Sequence, residues 1–185
     1  MKRLERTGWT LRGQPPGTES VAAHSYGVAV AAMMLADEIS ARGVEIDTGR
    51  LLRLAVMHDW AEARLGDMPR TGGEYFGSDA RKVAERAAFD DIVRGLGTEI
   101  EKSYSALHED YEQRSSLEAR LVKAADVIDL LVQALSFERA GVRGLDEFWE
   151  GVSERYFQLE GVAGEVVAEV MRLLLEAHMA VTGKQ

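Results

Sequence analysis

The residues best suited to chemistry come at the end of an apolar run. The run extends from Leu51 to Met57 and is followed at once by His58 and Asp59, with Glu62 one turn further on. Side chains three and four positions apart share one face of a helix, so a continuous helix would place these three ionisable groups against one another. Burying them is costly unless they hold an ion or each other. The simpler alternative is a surface turn at the end of a core helix, because a single His-Asp pair is weak evidence.

Two further residues of the same chemistry lie in other predicted helices. His24 lies on the apolar face of one helix, and Asp126 lies inside another with aliphatic residues a turn away on both sides. Aspartate is unfavourable there by helix propensity and by burial. Taken singly, His24 could be an ordinary core residue and Asp126 part of a solvated face. Together with His58 and Asp59 they offer two imidazoles and two carboxylates, a ligand set that suits one divalent ion and leaves coordination positions free for water and substrate.

Composition limits the class of protein. The 185 residues are 46% hydrophobic and 29% charged, which predicts one soluble domain with a sizeable core. The net charge of −9 is poorly suited to holding a nucleic acid polymer, whose phosphates must be neutralised. The chain shows neither a signal peptide nor an apolar run of the ~20 residues needed to cross a bilayer. It has no cysteine, which suits a reducing cytoplasm. We expect a cytoplasmic protein with a small-molecule partner.

Helical periodicity runs through the chain, and no long stretch alternates with period two. We predict a single all-α domain over 1–185 with about six or seven helices, a motif-bearing core at about 2–132 and C-terminal helices at about 145–182. Thr18 is the expected N-cap of the first long helix, and Ser115 with Glu118 has the spacing of a capping box. The predicted helices cover about 19–42, 47–66, 78–95, 99–110, 117–140, a short segment from 145, and 165–181, with a loop at 67–77.

The chain resembles a known family at five motifs that occur in order and at compatible spacing. The motifs are Leu4–Trp9, Glu19–Tyr26, Met57–Glu62, Gly66–Pro69 and Leu121–Asp126. They are similar to those of the HD-domain metal-dependent phosphohydrolases, and in detail to the small 5′-deoxynucleotidase branch. One departure is visible, because the family usually carries an acidic residue just before the first histidine and this chain has Ala23.

The resemblance implies roles for ten residues. The implied metal ligands are His24, His58, Asp59 and Asp126, and the implied catalytic carboxylates are Glu62 and Asp67. The candidates for substrate contact are Arg6, Trp9 and Lys123, with Arg12 a weaker one. Trp9 could equally be a core residue, and each cation could be a solvated surface group. His108 lies in a polar run and is expected to be solvated, whereas His178 suits the negative end of a helix dipole.

The function implied by the resemblance is hydrolysis of deoxyribonucleoside 5′-monophosphates by a metal-dependent phosphomonoesterase. The ligand types do not choose among Mn, Co, Zn, Fe and Mg. One alternative is an HD-domain hydrolase of another phosphate ester, such as a cyclic nucleotide or a nucleoside triphosphate. A second is a non-catalytic HD module that senses nucleotides, although such a module would have no physical need for buried charges. The resemblance also implies a homodimer.

Overall fold

Helices build the architecture of the computed structural model, which describes residues 1–69, 72, 75, 77–151 and 157–183. Within these residues the one β-type pairing is an isolated antiparallel bridge between Glu5 and Ser20, so the predicted all-α class is confirmed. No helix in the described ranges has both the length and the apolar composition to cross a bilayer. The helices are α1 Thr7–Thr10, α2 Val21–Ala41, α3 Thr48–Met57, α4 Glu62–Leu65, α5 Ser78–Val93, α6 Thr98–Gln113, α7 Leu117–Arg139 and α8 Gly161–Thr182, with a 3-10 turn at Asp146–Phe148.

The centre of the fold is the pair of long helices α2 and α7. Among the described helices their contact is the most extensive, and α3 and α8 each pack against both of them. The facing residues are small or aliphatic, as with Val28 and Ala32 of α2 and Ala124 and Ala125 of α7, and all four are inaccessible to solvent. Close packing of this kind holds side chains in fixed rotamers. The residues that α2 and α7 carry toward the site are therefore held rigidly.

The first long helix begins later than the sequence predicts. Its N-cap is Ser20, whose side chain accepts a hydrogen bond from the Ala23 backbone N–H, so the assignment of Thr18 was wrong. The reason is the bridge between Glu5 and Ser20, which keeps the chain before Val21 extended. The bridge also brings the N-terminal segment, and with it Arg6, beside the start of α2.

The second predicted helix is interrupted at the residues of chemical interest. The helix α3 begins at Thr48 after its N-cap Asp47, close to the predicted start, but it ends at Met57, and the chain becomes helical again in α4 at Glu62. The imidazole Nδ1 of His58 lies 2.7 Å from the Ala55 carbonyl oxygen. In a continuing helix that carbonyl would accept from the backbone N–H of residue 59. The His58 side chain takes that acceptor, and the chain turns more tightly through the next four residues.

Several smaller predictions also need correction. No capping box forms, because Ser116 rather than Ser115 caps α7 and Glu118 instead accepts from the Asp47 backbone N–H at 3.0 Å. The segment from residue 145 forms only a 3-10 turn within the described residues. Five residues of the predicted loop at 67–77, namely 70, 71, 73, 74 and 76, lie outside the described residues, as do residues 152–156.

His108, which was expected to be solvated, is buried, and so is His178. His108 is 3% exposed and stacks on Phe89, with ring centroids 4.2 Å apart. His178 is paired with the buried carboxylate of Glu138 at 2.9 Å, and Glu138 also accepts from the indole N–H of Trp149. Glu138, from α7, thus ties the end of α8 and the 3-10 region to the central pair of helices.

Candidate active site

The four predicted metal ligands meet between α2, the end of α3 and the middle of α7. The Nε2 atom of His24 lies 3.2 Å from Asp126 Oδ1 and 3.6 Å from Asp59 Oδ2. The Nε2 atom of His58 lies 3.2 Å from Asp59 Oδ2. One ligand atom each from His24, His58 and Asp126 falls within 4.8 Å of the others. We call these four residues the histidine–carboxylate cluster.

Both imidazoles are oriented with Nε2 toward the cluster. The Nδ1 atom of His24 contacts Asp129 Oδ2 at 2.8 Å, and the Nδ1 atom of His58 contacts the Ala55 carbonyl oxygen. Since both acceptors require a proton on Nδ1, each Nε2 is left as the atom that can bind a metal. Neither Nε2 has a hydrogen-bond partner among the described residues, although both are buried. Two buried nitrogens without hydrogen-bond partners, beside two carboxylates, fit a site for a divalent ion. In a purely structural core, buried polar atoms are normally hydrogen-bonded.

The charges of the cluster favour a cation. Burial opposes protonation of His24, but the carboxylates of Asp126 and Asp129 raise its pKa to about 10. Burial alone would raise the pKa of Asp59, but His58 and Arg6 lower it to about 2. Burial acts likewise on Asp126, where Lys123 and His24 hold the pKa well below its ordinary value. The site therefore keeps its carboxylates ionised and stabilises positive charge placed between them.

Glu62 lies at the start of α4, on the other side of the break that follows α3. Burial, together with the nearby carboxylates of Asp59 and Asp67, raises the pKa of Glu62 to about 9. Its Oε2 atom is buried and has no hydrogen-bond partner within the described part of the chain. A carboxyl group with a raised pKa and a free oxygen beside a metal site can exchange a proton with a water molecule.

Asp67 follows α4, where Gly66 turns the chain with a φ of 81°. Its Oδ2 accepts from the Thr7 backbone N–H, and its Oδ1 lies 3.1 Å from Arg6 Nη1. The Thr7 hydroxyl donates back to the Asp67 backbone carbonyl at 2.7 Å. Both carboxylate oxygens are therefore occupied, and they join the N-terminal segment to the end of α4.

Arg6 is surrounded by carboxylates. Its Nη1 atom lies 3.3 Å from Asp59 Oδ2 and 4.0 Å from Glu62 Oε1, in addition to its contact with Asp67. Burial lowers the pKa of an arginine, but Asp59 and Asp67 more than offset this, so the pKa of Arg6 is raised. The guanidinium is thus a permanent positive charge at the edge of the histidine–carboxylate cluster.

The other predicted substrate contacts are placed differently from one another. Lys123 reaches the cluster, where its Nζ lies 2.7 Å from Asp126 Oδ2. Trp9 is 2% exposed, packs on Phe137 and Phe148, and donates its indole N–H to Glu19. The structure therefore places Trp9 in the core, the second of the two readings of this residue. Arg12 pairs with Glu147, away from the cluster.

Two residues of the site escaped the sequence reasoning. Asp129 was given no role in the site, yet it contacts His24 and is only 17% exposed. The available signal was its spacing, because a residue three positions after Asp126 lies on the same side of the helix. Gly27 gave no signal of its own. A Cβ at Gly27 would lie 1.9 Å from Asp129 Oδ1 on the neighbouring helix, and spacing along the sequence does not reveal a distance between two helices.

Comparison with known proteins gives consistent matches. The sequence model of the HD domain family matches residues 1–157. The protein named 5′-deoxynucleotidase HDDC2 of Xenopus laevis is 30% identical over 158 residues, covering 84% of this chain and 74% of that protein. Its Bos taurus counterpart is 30% identical over 186 residues, covering 99% and 83%. The solved structure of a conserved hypothetical protein from Pyrococcus furiosus has a TM-score of 0.79 at 33% identity, covering 95% of this chain and 93% of that one.

Proposed function

This chain belongs to the HD domain family, and we propose that it is a metal-dependent phosphohydrolase that converts deoxyribonucleoside 5′-monophosphates to deoxynucleosides and phosphate. The reaction class is supported by the site, and the substrate by relatives that are named 5′-deoxynucleotidases. The observation that carries the proposal is the pair of buried Nε2 atoms, unpartnered within the described residues and facing two ionised carboxylates.

We propose that His24, His58, Asp59 and Asp126 hold one divalent ion. When bound, such an ion lowers the pKa of water and polarises a phosphoryl oxygen. The protein itself must then supply a group that accepts a proton and charged groups that bind the phosphate. It must also supply side chains that hold these groups in position. The donor set remains compatible with Mn, Co, Zn, Fe or Mg.

Glu62 is the proposed general base. It lies beside the cluster on a separate helical turn. Its raised pKa keeps it protonated in the metal-free protein, whereas a divalent ion held by the cluster would offset the nearby carboxylates and favour the ionised form, whose Oε2 could accept a proton from the attacking water. Asp67 has a different proposed role. Because the Thr7 backbone N–H and Arg6 occupy its two oxygens, it holds the guanidinium in place rather than exchanging a proton itself. The two carboxylates, which the sequence did not separate, are thus assigned to base and to positioning.

Arg6 and Lys123 are the proposed phosphate-binding groups. An arginine can hold two phosphate oxygens in its planar fork, while a lysine supplies a point charge. Both contact carboxylates of the cluster, Asp59 and Asp126 respectively. A bound divalent ion would compete for those same carboxylate oxygens, leaving the two cations freer to contact a phosphate.

The metal assignment is tested by metal content. His58→Ala and Asp59→Ala should each lose most of the bound metal after chelation and reconstitution, whereas Arg172→Ala, an exposed arginine paired with Glu176, should retain it. If both cluster variants retained one metal per chain, the proposed ligand set would be wrong. Far-UV circular dichroism of the same samples would show whether the helices are intact.

The substrate is tested by phosphate release from a panel of dAMP, AMP, dATP and a cyclic nucleotide. We expect dAMP to be hydrolysed well above AMP. Equal rates on dAMP and AMP would overturn the deoxy assignment. Preference for dATP or the cyclic nucleotide would favour the alternative of an HD-domain hydrolase of another phosphate ester. Metal bound in full with no hydrolysis of any member would favour a nucleotide-sensing module. A cytoplasmic location and a homodimer stay predictions.

A further inference from the structure

A third carboxylate supports the histidine–carboxylate cluster from behind. Asp129 lies on α7 one turn beyond Asp126, and its Oδ2 lies 2.8 Å from His24 Nδ1. The imidazole between them is 1% exposed, with Nε2 directed at Asp126 and Asp59. Its two nitrogens therefore face carboxylates on opposite sides, of which Asp126 is a proposed ligand and Asp129 is not.

The contact requires a glycine on the neighbouring helix. Gly27 lies in the interior of α2, three residues after His24, where glycine is less favourable than alanine. A Cβ built on Gly27 would lie 1.9 Å from Asp129 Oδ1 and 2.7 Å from its Cγ. These distances are far inside van der Waals contact. The Asp129 carboxylate thus occupies the volume that any other residue at position 27 would fill.

We propose that Gly27 and Asp129 form a positioning pair for the metal: Gly27 leaves the space in which Asp129 holds the His24 Nδ1–H, so that Nε2 faces the ion. Neither residue would touch the metal. A carboxylate that accepts from a metal-binding histidine fixes its tautomer and ring orientation and makes the ring a better ligand. The inference rests on the proposed function, because it takes His24 as a metal ligand.

A second ion between Glu19, His24 and Asp129 is the competing interpretation, since one ligand atom of each falls within 4.8 Å of the others. It conflicts with the observed contacts. Glu19 already accepts the indole N–H of Trp9, and an ion bound to Nδ1 would displace the proton that Asp129 accepts. His24 would then have to bind one ion at each nitrogen. The positioning role uses the contacts as they stand.

The test is Co²⁺ binding to the full-length metal-free protein, followed by visible absorption, which reports both affinity and coordination geometry. Gly27→Ala and Asp129→Ala should each weaken Co²⁺ binding by about 10–100-fold and alter the absorption band. Asp129→Asn retains an oxygen that can accept from Nδ1 and should recover most of the affinity. The control is Gly49→Ala, the same change within a helix, where the added Cβ would come no closer than 3.4 Å to Asp47 Oδ1. It should bind Co²⁺ like the wild type.

The double variant gives the sharpest discrimination. If Gly27→Ala acts by displacing the Asp129 carboxylate, it should add little to the loss already caused by Asp129→Ala. If the two losses of Co²⁺ affinity multiplied in the double variant, the proposed pair would be refuted. A Gly27→Ala protein with wild-type Co²⁺ affinity and spectrum would also refute it. If Asp129→Ala did not fold, Gly27→Ala and Asp129→Asn would still decide the matter. If the wild type itself did not bind Co²⁺, the proposed function would be refuted instead. This outcome is distinguishable because Gly49→Ala would then show no Co²⁺ absorption either.

Discussion

Replacing Arg6 should destabilise the metal-free protein far more than the metal-loaded one. Its side chain is 15% exposed, and Nη1 contacts Asp59 at 3.3 Å and Asp67 at 3.1 Å. Removing one partner from a buried ion pair costs about 3–5 kcal/mol, because the other charge is left uncompensated. For Arg6→Met we expect the lower end of this range, since a methionine keeps the apolar packing of the arginine stem. A loss of about 3 kcal/mol lowers the melting temperature by roughly 6–12 °C in a domain of this size.

Metal should reverse much of this loss. A divalent ion supplies the positive charge that Asp59 has lost, and Arg6 no longer competes for the same carboxylate oxygen. Binding to the folded state stabilises it by RT ln(1 + [L]/Kd), so the rise in melting temperature on adding Mn²⁺ should be larger for Arg6→Met than for the wild type. Thermal unfolding with and without Mn²⁺ measures both quantities. Arg172→Met, which removes an exposed ion pair with Glu176, should change neither appreciably. A metal-free Arg6→Met protein that melted with the wild type would refute the reasoning.

Three further variants test other parts of the structure. Glu62→Gln should keep its metal, measured by elemental analysis, while turnover falls by about 10²–10⁴-fold; undiminished turnover would exclude it as the base. Trp9→Phe leaves the Glu19 carboxylate without its indole donor, so urea unfolding should show a loss of about 1–3 kcal/mol, and an unchanged midpoint would contradict that contact. Burial lowers the pKa of His108 from 6.5 to about 4. Between these pH values the imidazole is therefore protonated in the unfolded chain and neutral in the folded protein. Stability should therefore fall between pH 6.5 and about 4, and less steeply in His108→Gln; parallel profiles would argue against the buried neutral imidazole.

The helices were predictable because their signals are local. Apolar spacing, the start of the second helix near residue 47 and the long run from Leu117 are properties of a few neighbouring residues, and the structure confirms them. The error at Thr18 arose from a distant partner. The pairing of residue 5 with residue 20 keeps Ser20 in an extended conformation, and the spacing of residues 18–24 does not predict that pairing.

The break after α3 illustrates the same limit within one stretch. The sequence led us to expect His58, Asp59 and Glu62 on one continuous helix face. They do converge, but across a tight turn produced by the His58 side chain taking a backbone acceptor. That these residues belong to a site was predictable, because ionisable groups in an apolar run are costly to bury unless they bind an ion or each other. The route by which the backbone assembles them was not, because it depends on the conformation of a single side chain.

The histidine–carboxylate cluster has a mechanical consequence as well as a chemical one. Its members come from the start of α2, the end of α3 and the middle of α7, and the chain has no cysteine with which to join distant segments covalently. An ion held by all four would act as a cross-link that closes two long loops of the unfolded chain, and long loops are those whose closure restricts the denatured ensemble most. Without the ion the unfolded chain would regain that conformational entropy, while the helices of the folded protein would stay packed. Metal supply would therefore affect the stability of the fold, in addition to whether the protein can turn over substrate.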